Sequence, residues 1–114
     1  MLRVVIVSNE CESFIALCSK RVLKKFKYVL EIITEHQIVH KAVVEKLVNS
    51  NFYELKIKAD NQIRVILFTL DNEDFNQSTK IVLLNGFLKK DNKDYVKAIQ
   101  TAKKILEQYK NEED

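Results

Sequence analysis

The chain has 114 residues, the length of one ordinary domain, and 46% of them are hydrophobic, which excludes an intrinsically disordered protein. No apolar run approaches the ~18 residues that a membrane span needs, and the start is too short and too β-branched for a signal peptide. We therefore expect a cytoplasmic protein without membrane contact. The net charge of +3 permits nucleic-acid binding without requiring it. We expect a single domain over residues 1–110 and an acidic, frayed tail at residues 111–114.

The chain begins with a predicted strand and a long helix. Residues 1–7 are apolar except for Arg3 and rich in β-branched side chains, which is typical of a strand. Asn9 and Glu12 have the spacing of a capping box, and apolar residues then recur at helical spacing. The first helix is therefore predicted to begin near residue 10 and to run, with a bend in the middle, to about residue 34.

A second helix is predicted over residues 38–48, because apolar side chains recur there at helical spacing: Val39, Val43, Val44 and Leu47. The sequence Asn-Ser-Asn at residues 49–51 ends it. Five basic residues on the first helix have no acidic residue among them: Lys20, Arg21, Lys24, Lys25 and Lys27. We interpret this run either as a solvated helix face or as a surface for a polyanion.

The C-terminal half predicts three antiparallel strands and one helix. Residues 52–59 alternate between the two faces of a strand, and residues 63–70 and 80–88 are apolar strands separated by a polar loop over residues 71–79. The last helix is predicted to open around residues 91–94 and carries a regular apolar stripe. The predicted fold class is α+β: an antiparallel meander with an N-terminal strand, two N-terminal helices and one C-terminal helix, all helices on one face.

Cysteine and histidine show no metal-binding pattern. Cys11 and Cys18, on one helix, would lie about 10 Å apart along its axis, too far for a disulfide, so we interpret both as small buried hydrophobic residues. His36 and His40 are four residues apart on a predicted helix, but no third ligand accompanies them. We therefore expect neither a metal ion nor a cofactor.

Proline is absent, and Gly86 is the single glycine of the chain. Average chains contain roughly 5% proline and 7% glycine, so this composition favours long regular elements joined by Asn and Asp turns. The place of Gly86 near the end of an apolar strand predicts a β-bulge or a close approach of the backbone to another group.

Three segments of the C-terminal half follow one another in a recognisable order: Tyr53-Glu54-Leu55-Lys56-Ile57-Lys58, then Ile63-Arg64-Val65, then Leu84-Asn85-Gly86-Phe87-Leu88-Lys89-Lys90. In this order and spacing they resemble the RelE/ParE toxin superfamily, and within it the phage-derived HigB-like branch. The resemblance extends over about residues 1–110 and implies a RelE-like fold.

The resemblance also implies a function, the toxin of a type II toxin–antitoxin pair. Such a toxin would be a ribosome-dependent mRNA endoribonuclease, in which the ribose 2′-OH attacks the adjacent phosphate and the 5′-oxygen leaves. The implied partners are the ribosome, mRNA and a cognate antitoxin, usually a helix-turn-helix DNA-binding protein encoded next to the toxin. Two alternatives stay open: a ParE-like gyrase poison on the same fold, and a catalytically degenerate member that retains only antitoxin or nucleic-acid binding.

Cleavage of this kind needs a base for the 2′-OH, cations for the phosphorane and a proton for the leaving oxygen. Lys56 and Lys58 are expected about 7 Å apart on one face of a strand. An odd hairpin loop, Asp60-Asn61-Gln62, would place Arg64 opposite Lys58, whereas an even loop would place it opposite Ile57. We predict the odd loop, because burying Arg64 in the core beside Ile57 would be costly.

Other candidate residues surround this strand face. Lys89 and Lys90 follow the last strand and are expected to reach the same cleft. Tyr95 is a candidate to stack on a base or to donate a proton, and Glu54 is a candidate general base or salt-bridge partner. The C-terminal half contains no histidine, so the acid and the base stay open among Glu54, Tyr95 and a lysine. The expected RNA-binding residues are Phe87, Lys93 and Lys97.

Overall fold

The computed structural model describes residues 2–113, apart from the side chain of Glu113. Its elements are β1 (Val4–Val7), α1 (Asn9–Ala16), α2 (Lys20–Glu35), β2 (Val44–Lys46), β3 (Tyr53–Ala59), β4 (Asn61–Thr69), a short 3₁₀ helix (Phe75–Gln77), β5 (Lys80–Leu88) and α3 (Lys93–Glu113). The predicted α+β class is confirmed. The expected tail begins inside α3, which continues through Glu113, and Met1 and Asp114 lie outside the described residues.

The described strands form one sheet in the order β1-β5-β4-β3-β2. β1 pairs with β5 in parallel, and the other neighbours are antiparallel. The hairpin between β3 and β4 turns at Asp60, whose φ of 62° is left-handed, a conformation that Asp adopts more readily than most residues. The predicted meander of three strands and the predicted N-terminal strand are therefore confirmed, and β2 is an additional strand at the other edge.

Helices cover both faces of the sheet, so the prediction that they share one face is wrong. α1 and α2 pack on the face that carries Leu55 and Ile57, and α3 packs on the opposite face against Leu84. The central strands are apolar on both sides, since adjacent residues such as Val65 and Ile66 enter different cores. A sheet of this kind excludes water only when helices cover both faces.

The predicted first helix is two helices, separated by residues 17–19. The Ser19 hydroxyl begins α2 by accepting a hydrogen bond at 3.3 Å from the backbone amide three residues later. Ser8 caps α1 in the same way at 3.0 Å, so the predicted cap at Asn9 is wrong by one residue. Apolar spacing continues across the break, and hydrophobic periodicity therefore does not reveal it.

Residues 38–48 do not form the predicted second helix. They lead into the edge strand β2, where Val44 pairs with Leu55 of β3. Val39 and Leu47 are buried, as the apolar stripe of the predicted helix required, but they lie in cores on opposite faces of the sheet. Valine favours strands, and backbone pairing with β3 stabilises the extended conformation here.

The cysteines and histidines differ in part from expectation. Cys11 is a buried free thiol, and burial raises its pKa to about 12, whereas Cys18 is only partly buried. His36 caps the end of α2 and His40 lies in a turn, so the two do not share a helix face as predicted. Within residues 2–113 no three side chains are grouped as metal ligands would be, and no helix is both long and apolar enough to cross a membrane.

Gly86 is a site of close approach, as its position predicted. A β-carbon there would lie 2.3 Å from Cδ2 of Phe14 on α1. The bulge lies two residues earlier, where Leu84 is the extra residue of β5 and the register with β4 shifts between Ile66 and Leu67. The extra residue reverses the alternation of side chains along the rest of β5.

Candidate active site

The β3–β4 hairpin places Arg64 opposite Lys56 rather than opposite Lys58. The loop is odd, as predicted, but it consists of Asp60 alone, because the strands pair up to both of its neighbours. A loop that is two residues shorter shifts the pairing of the two strands by two positions, so Arg64 has a different partner but stays on the same face of the sheet. The predicted face is confirmed, and the predicted partner of Arg64 is wrong.

Arg64, Glu54 and Tyr95 form a hydrogen-bonded cluster beneath this face. Glu54 Oε1 accepts hydrogen bonds from Arg64 Nε at 2.8 Å and from the Tyr95 hydroxyl at 3.0 Å. The side chains of Arg64 and Glu54 are only 6% and 8% exposed. Charges this buried are stable when each faces its partner, so Glu54 makes the burial of Arg64 possible. Of the two roles expected for Glu54, the structure supports the salt bridge.

The guanidinium of Arg64 is held in one orientation. Besides its bond to Glu54, it donates through Nη1 to the Ile63 carbonyl at 3.2 Å and through Nη2 to Gln62 Oε1 at 2.9 Å. Three of the five N–H donors of the guanidinium are used in these bonds, and the Arg64 side chain also interacts with the Tyr95 hydroxyl. Arg64 is therefore oriented by protein groups, and its positive charge is fixed in place.

Lys56 is paired with Glu45 across the edge of the sheet. Its Nζ donates to Glu45 Oε1 at 2.7 Å, and its side chain is 15% exposed. This hydrogen bond and the lysine charge hold the pKa of the Glu45 carboxyl below its usual value. Sequence reasoning missed Glu45 because residues 38–48 were assigned to a helix. The adjacent valines Val43 and Val44, which favour a strand, are the signal that would have indicated an extended segment at Glu45.

Tyr95 presents its ring to the site and turns its hydroxyl inward. Burial first, and then the hydrogen bond to Glu54, raise the pKa of the Tyr95 phenol, so it stays protonated and donates. The Phe87 ring packs edge-to-face on it with the centroids 5.2 Å apart. Lys89 Nζ lies 5.8 Å from the centroid of the Tyr95 ring. The Leu84 bulge brings Phe87 to this face of the sheet.

A groove of about 520 Å³, which we call the cleft, lies between β2, β3, β4, the segment after β5 and α3. Arg64, Lys56 and Tyr95 are among the residues that line it. Its charged residues are Lys46, Lys56, Arg64 and Lys89, with Glu45 and Glu54. Both carboxylates are hydrogen-bonded to cations of the same groove. Lys46 and Lys89 have no ion pair with a described carboxylate, so an entering anion would meet positive charge.

The other predicted site residues lie outside the cleft. Lys58 and Lys90 line a neighbouring depression of about 390 Å³, and Lys89 contributes to both. Lys93 and Lys97 line a third groove together with Phe87. The structure thus brings Glu54, Lys56, Arg64, Lys89 and Tyr95 together in one cleft. It places Lys58 and Lys90 in the neighbouring depression, and Phe87, Lys93 and Lys97 in a separate groove.

A family model described as Phage derived protein Gp49-like (DUF891) matches residues 13–107. The matched stretch contains every residue that lines the cleft. No curated protein matches the chain. The matched family is part of the RelE/ParE-like toxin superfamily, in agreement with the α+β fold and the strand order described above. The chain therefore belongs to the phage-derived Gp49-like family of the RelE/ParE-like toxin superfamily.

Proposed function

We propose that this protein is the toxin of a type II toxin–antitoxin pair, of the HigB-like kind, and that it cleaves mRNA on the ribosome. The observation that carries the proposal is the orientation of Arg64 by Glu54 in a cleft that also holds Lys56, Lys89 and the Tyr95 ring. Membership in a toxin-like family supports the same reading. The site thus combines oriented cations with an aromatic surface, as RNA cleavage and RNA binding require.

In the proposed reaction the 2′-oxygen forms a bond to the adjacent phosphorus, and the bond from phosphorus to the 5′-oxygen breaks. The 2′-OH loses its proton and the leaving 5′-oxygen gains one, which gives a 2′,3′-cyclic phosphate and a 5′-OH. Negative charge grows on the phosphorane oxygens. The guanidinium of Arg64 and the ammonium of Lys89, which both line the cleft, are assigned to that charge.

Glu54 is assigned to positioning rather than to proton abstraction. One of its oxygens already accepts two hydrogen bonds, from Arg64 and from Tyr95. A carboxylate held in this way orients its partners, in the manner of a buried group that aligns a catalytic side chain. Tyr95 is assigned to base stacking, because its hydroxyl points to Glu54 and burial raises its pKa.

The decisive experiment is regulated expression with growth measurement and mapping of transcript 5′ ends. Lys89→Gln removes an ammonium that has no described carboxylate partner, so it is expected to relieve growth arrest without loss of stability. Lys104→Gln, on an exposed part of α3, is the matched control and is expected to stay toxic. Arg64→Lys keeps the charge beside Glu54, whereas Arg64→Ala would leave a buried carboxylate unpaired at a cost of about 3–5 kcal/mol.

Each outcome separates the candidate functions. Cuts phased with codons, confined to translated messages, would establish the proposed activity. DNA-damage signalling with intact mRNA would identify a gyrase poison of the ParE kind instead. Antitoxin binding without growth arrest would identify a degenerate member. The antitoxin is proposed to be a helix-turn-helix DNA-binding protein encoded next to this gene, which gene neighbourhood and co-purification test directly.

A further inference from the structure

A second groove, of about 620 Å³, continues from the cleft along α3. We call it the α3 groove. It shares Lys46 and Ile99 with the cleft, so the two grooves are continuous. One stripe of α3 lines both grooves, with Tyr95 in the cleft, Ile99 at the junction, and Lys103, Leu106 and Lys110 beyond it. At 1.5 Å per residue, the stripe from Tyr95 to Lys110 is about 22 Å long.

The α3 groove is positively charged. Its lysines are Lys46, Lys103 and Lys110, and no described residue that lines it is acidic. None of the three lysines has an ion pair with a described carboxylate. Lys46 Nζ donates to the Ser50 carbonyl at 2.5 Å, which holds one of these ammonium groups at the junction with the cleft. The charges are therefore available to phosphate groups.

The walls of the α3 groove have the other features of a single-strand binding surface. Asn49, Ser50 and Asn51, in the turn between β2 and β3, supply amide and hydroxyl groups on one side. Phe52 and Phe68 lie beneath it with their rings edge-to-face and the centroids 6.0 Å apart. Phe52 is buried in the core, and Lys110 Nζ lies 5.1 Å from the centroid of the partly buried Phe68 ring. Grooves that bind single strands combine a cationic track for the backbone with groups that contact the bases, and the polar side chains of the turn are such groups here.

We propose that the α3 groove binds the single-stranded RNA that extends from the cleft on one side of the cleaved phosphate. Lys103 and Lys110 contact backbone phosphates, and Lys46 contacts the strand where it leaves the cleft. The inference rests on the proposed function, because it takes the occupant of the cleft to be RNA. The continuity with the cleft and the amides of the turn favour RNA over an acidic peptide, which needs cations but no base-contacting groups.

The test measures binding of labelled 2′-O-methyl RNA by fluorescence anisotropy over a range of salt concentrations. These strands cannot be cut, because the attacking hydroxyl is blocked. The variant is Lys103→Gln with Lys110→Gln, which changes the α3 groove and leaves the cleft intact. The matched control is Lys24→Gln with Lys27→Gln on α2, which removes the same charge from a helix on the opposite face of the sheet.

For a strand of about twelve nucleotides, the α3 groove variant is expected to lower the slope of log K against log salt by about 1.4, at about 0.7 per lost phosphate contact. That slope corresponds to binding about 25-fold weaker at about 0.1 M salt. A strand of about four nucleotides, confined to the cleft, is expected to bind the variant and the wild type alike. The control variant is expected to match the wild type with both strands. Thermal unfolding of each variant shows whether the fold is intact.

An unchanged slope in the α3 groove variant, an equal loss in the α2 control, or no binding of the long strand to the wild type would overturn the inference. Polyglutamate that binds more tightly than RNA with the same lysine dependence would assign the groove to an acidic protein instead. The proposed function is judged separately by transcript mapping. Transcripts that stay uncut while the α3 groove variant loses RNA binding would refute the nuclease and leave the groove assignment standing.

Discussion

Replacing Gly86 by alanine tests the close approach between strand β5 and the Phe14 ring of α1. The new β-carbon would lie 2.3 Å from Phe14 Cδ2 and 2.7 Å from Phe14 Cε2. Carbon atoms in contact are normally about 3.5–4.0 Å apart, so the ring must withdraw by roughly 1 Å or the strand must shift. Overpacking of this kind costs about 1–3 kcal/mol in the free energy of unfolding. The entropic gain of alanine over glycine, about 0.4–1 kcal/mol, offsets only part of that.

Urea denaturation of Gly86→Ala, Phe14→Ala and the double variant isolates this contact. Phe14→Ala alone is destabilising, since its ring packs against the core. In the double variant the alanine at position 86 has room, so the two costs should not add. We expect a coupling of about 1 kcal/mol or more, with the double variant more stable than the sum predicts. Costs that add within about 0.5 kcal/mol would refute the steric explanation for the glycine.

Arg3→Met is expected to lower the free energy of unfolding, measured in urea, by about 3 kcal/mol or more. The Arg3 guanidinium is buried and donates to four backbone carbonyls, which would lose their donor. An unchanged midpoint of urea unfolding would contradict this structural role of Arg3. Tyr95→Phe is expected to keep the rate of transcript cutting within about tenfold of wild type, and Tyr95→Ala is expected to lose it, because the Tyr95 ring is assigned to base stacking. A loss of about 10² or more in Tyr95→Phe would instead indicate that the hydroxyl acts as a general acid. The pKa of Glu45 is lowered in the fold, so its pairing with Lys56 stabilises the protein above the ordinary carboxyl pKa and is lost as pH falls through the lowered value. Wild type should therefore lose more thermal stability than Glu45→Gln on acidification, and equal losses would show that the pair contributes nothing.

Local periodicity was sufficient for the strands of the meander and for the last helix. β5 occupies the predicted residues 80–88, and α3 begins within the predicted opening. The alternation over residues 52–59 also assigned Glu54, Lys56 and Lys58 to one face correctly. Side-chain direction along a strand or helix follows from the geometry of neighbouring residues, so sequence spacing reports it.

Non-local pairing decided the segments that periodicity misread. Residues 38–48 have helical spacing, yet β2 forms there because the edge of β3 offers backbone partners. The break between α1 and α2 depends on a hydroxyl at Ser19 that caps the second helix, and the apolar pattern runs through it unchanged. Burial of both faces of the central strands required a second helical layer, and the nearly continuous apolar runs over residues 63–70 and 80–88 were the sequence signal for it.

The sequence by itself determined the fold class, the basic strand face and the family to which the chain is similar, because these depend on residue types at short spacing. The tertiary structure alone decided which side chains meet. A loop of one residue set Lys56 opposite Arg64, and the Leu84 bulge turned Phe87 toward Tyr95. Strand register depends on contacts between residues far apart in the chain. For the same reason Glu54, open as a base or a salt-bridge partner in the sequence, became the group that holds Arg64 in the cleft.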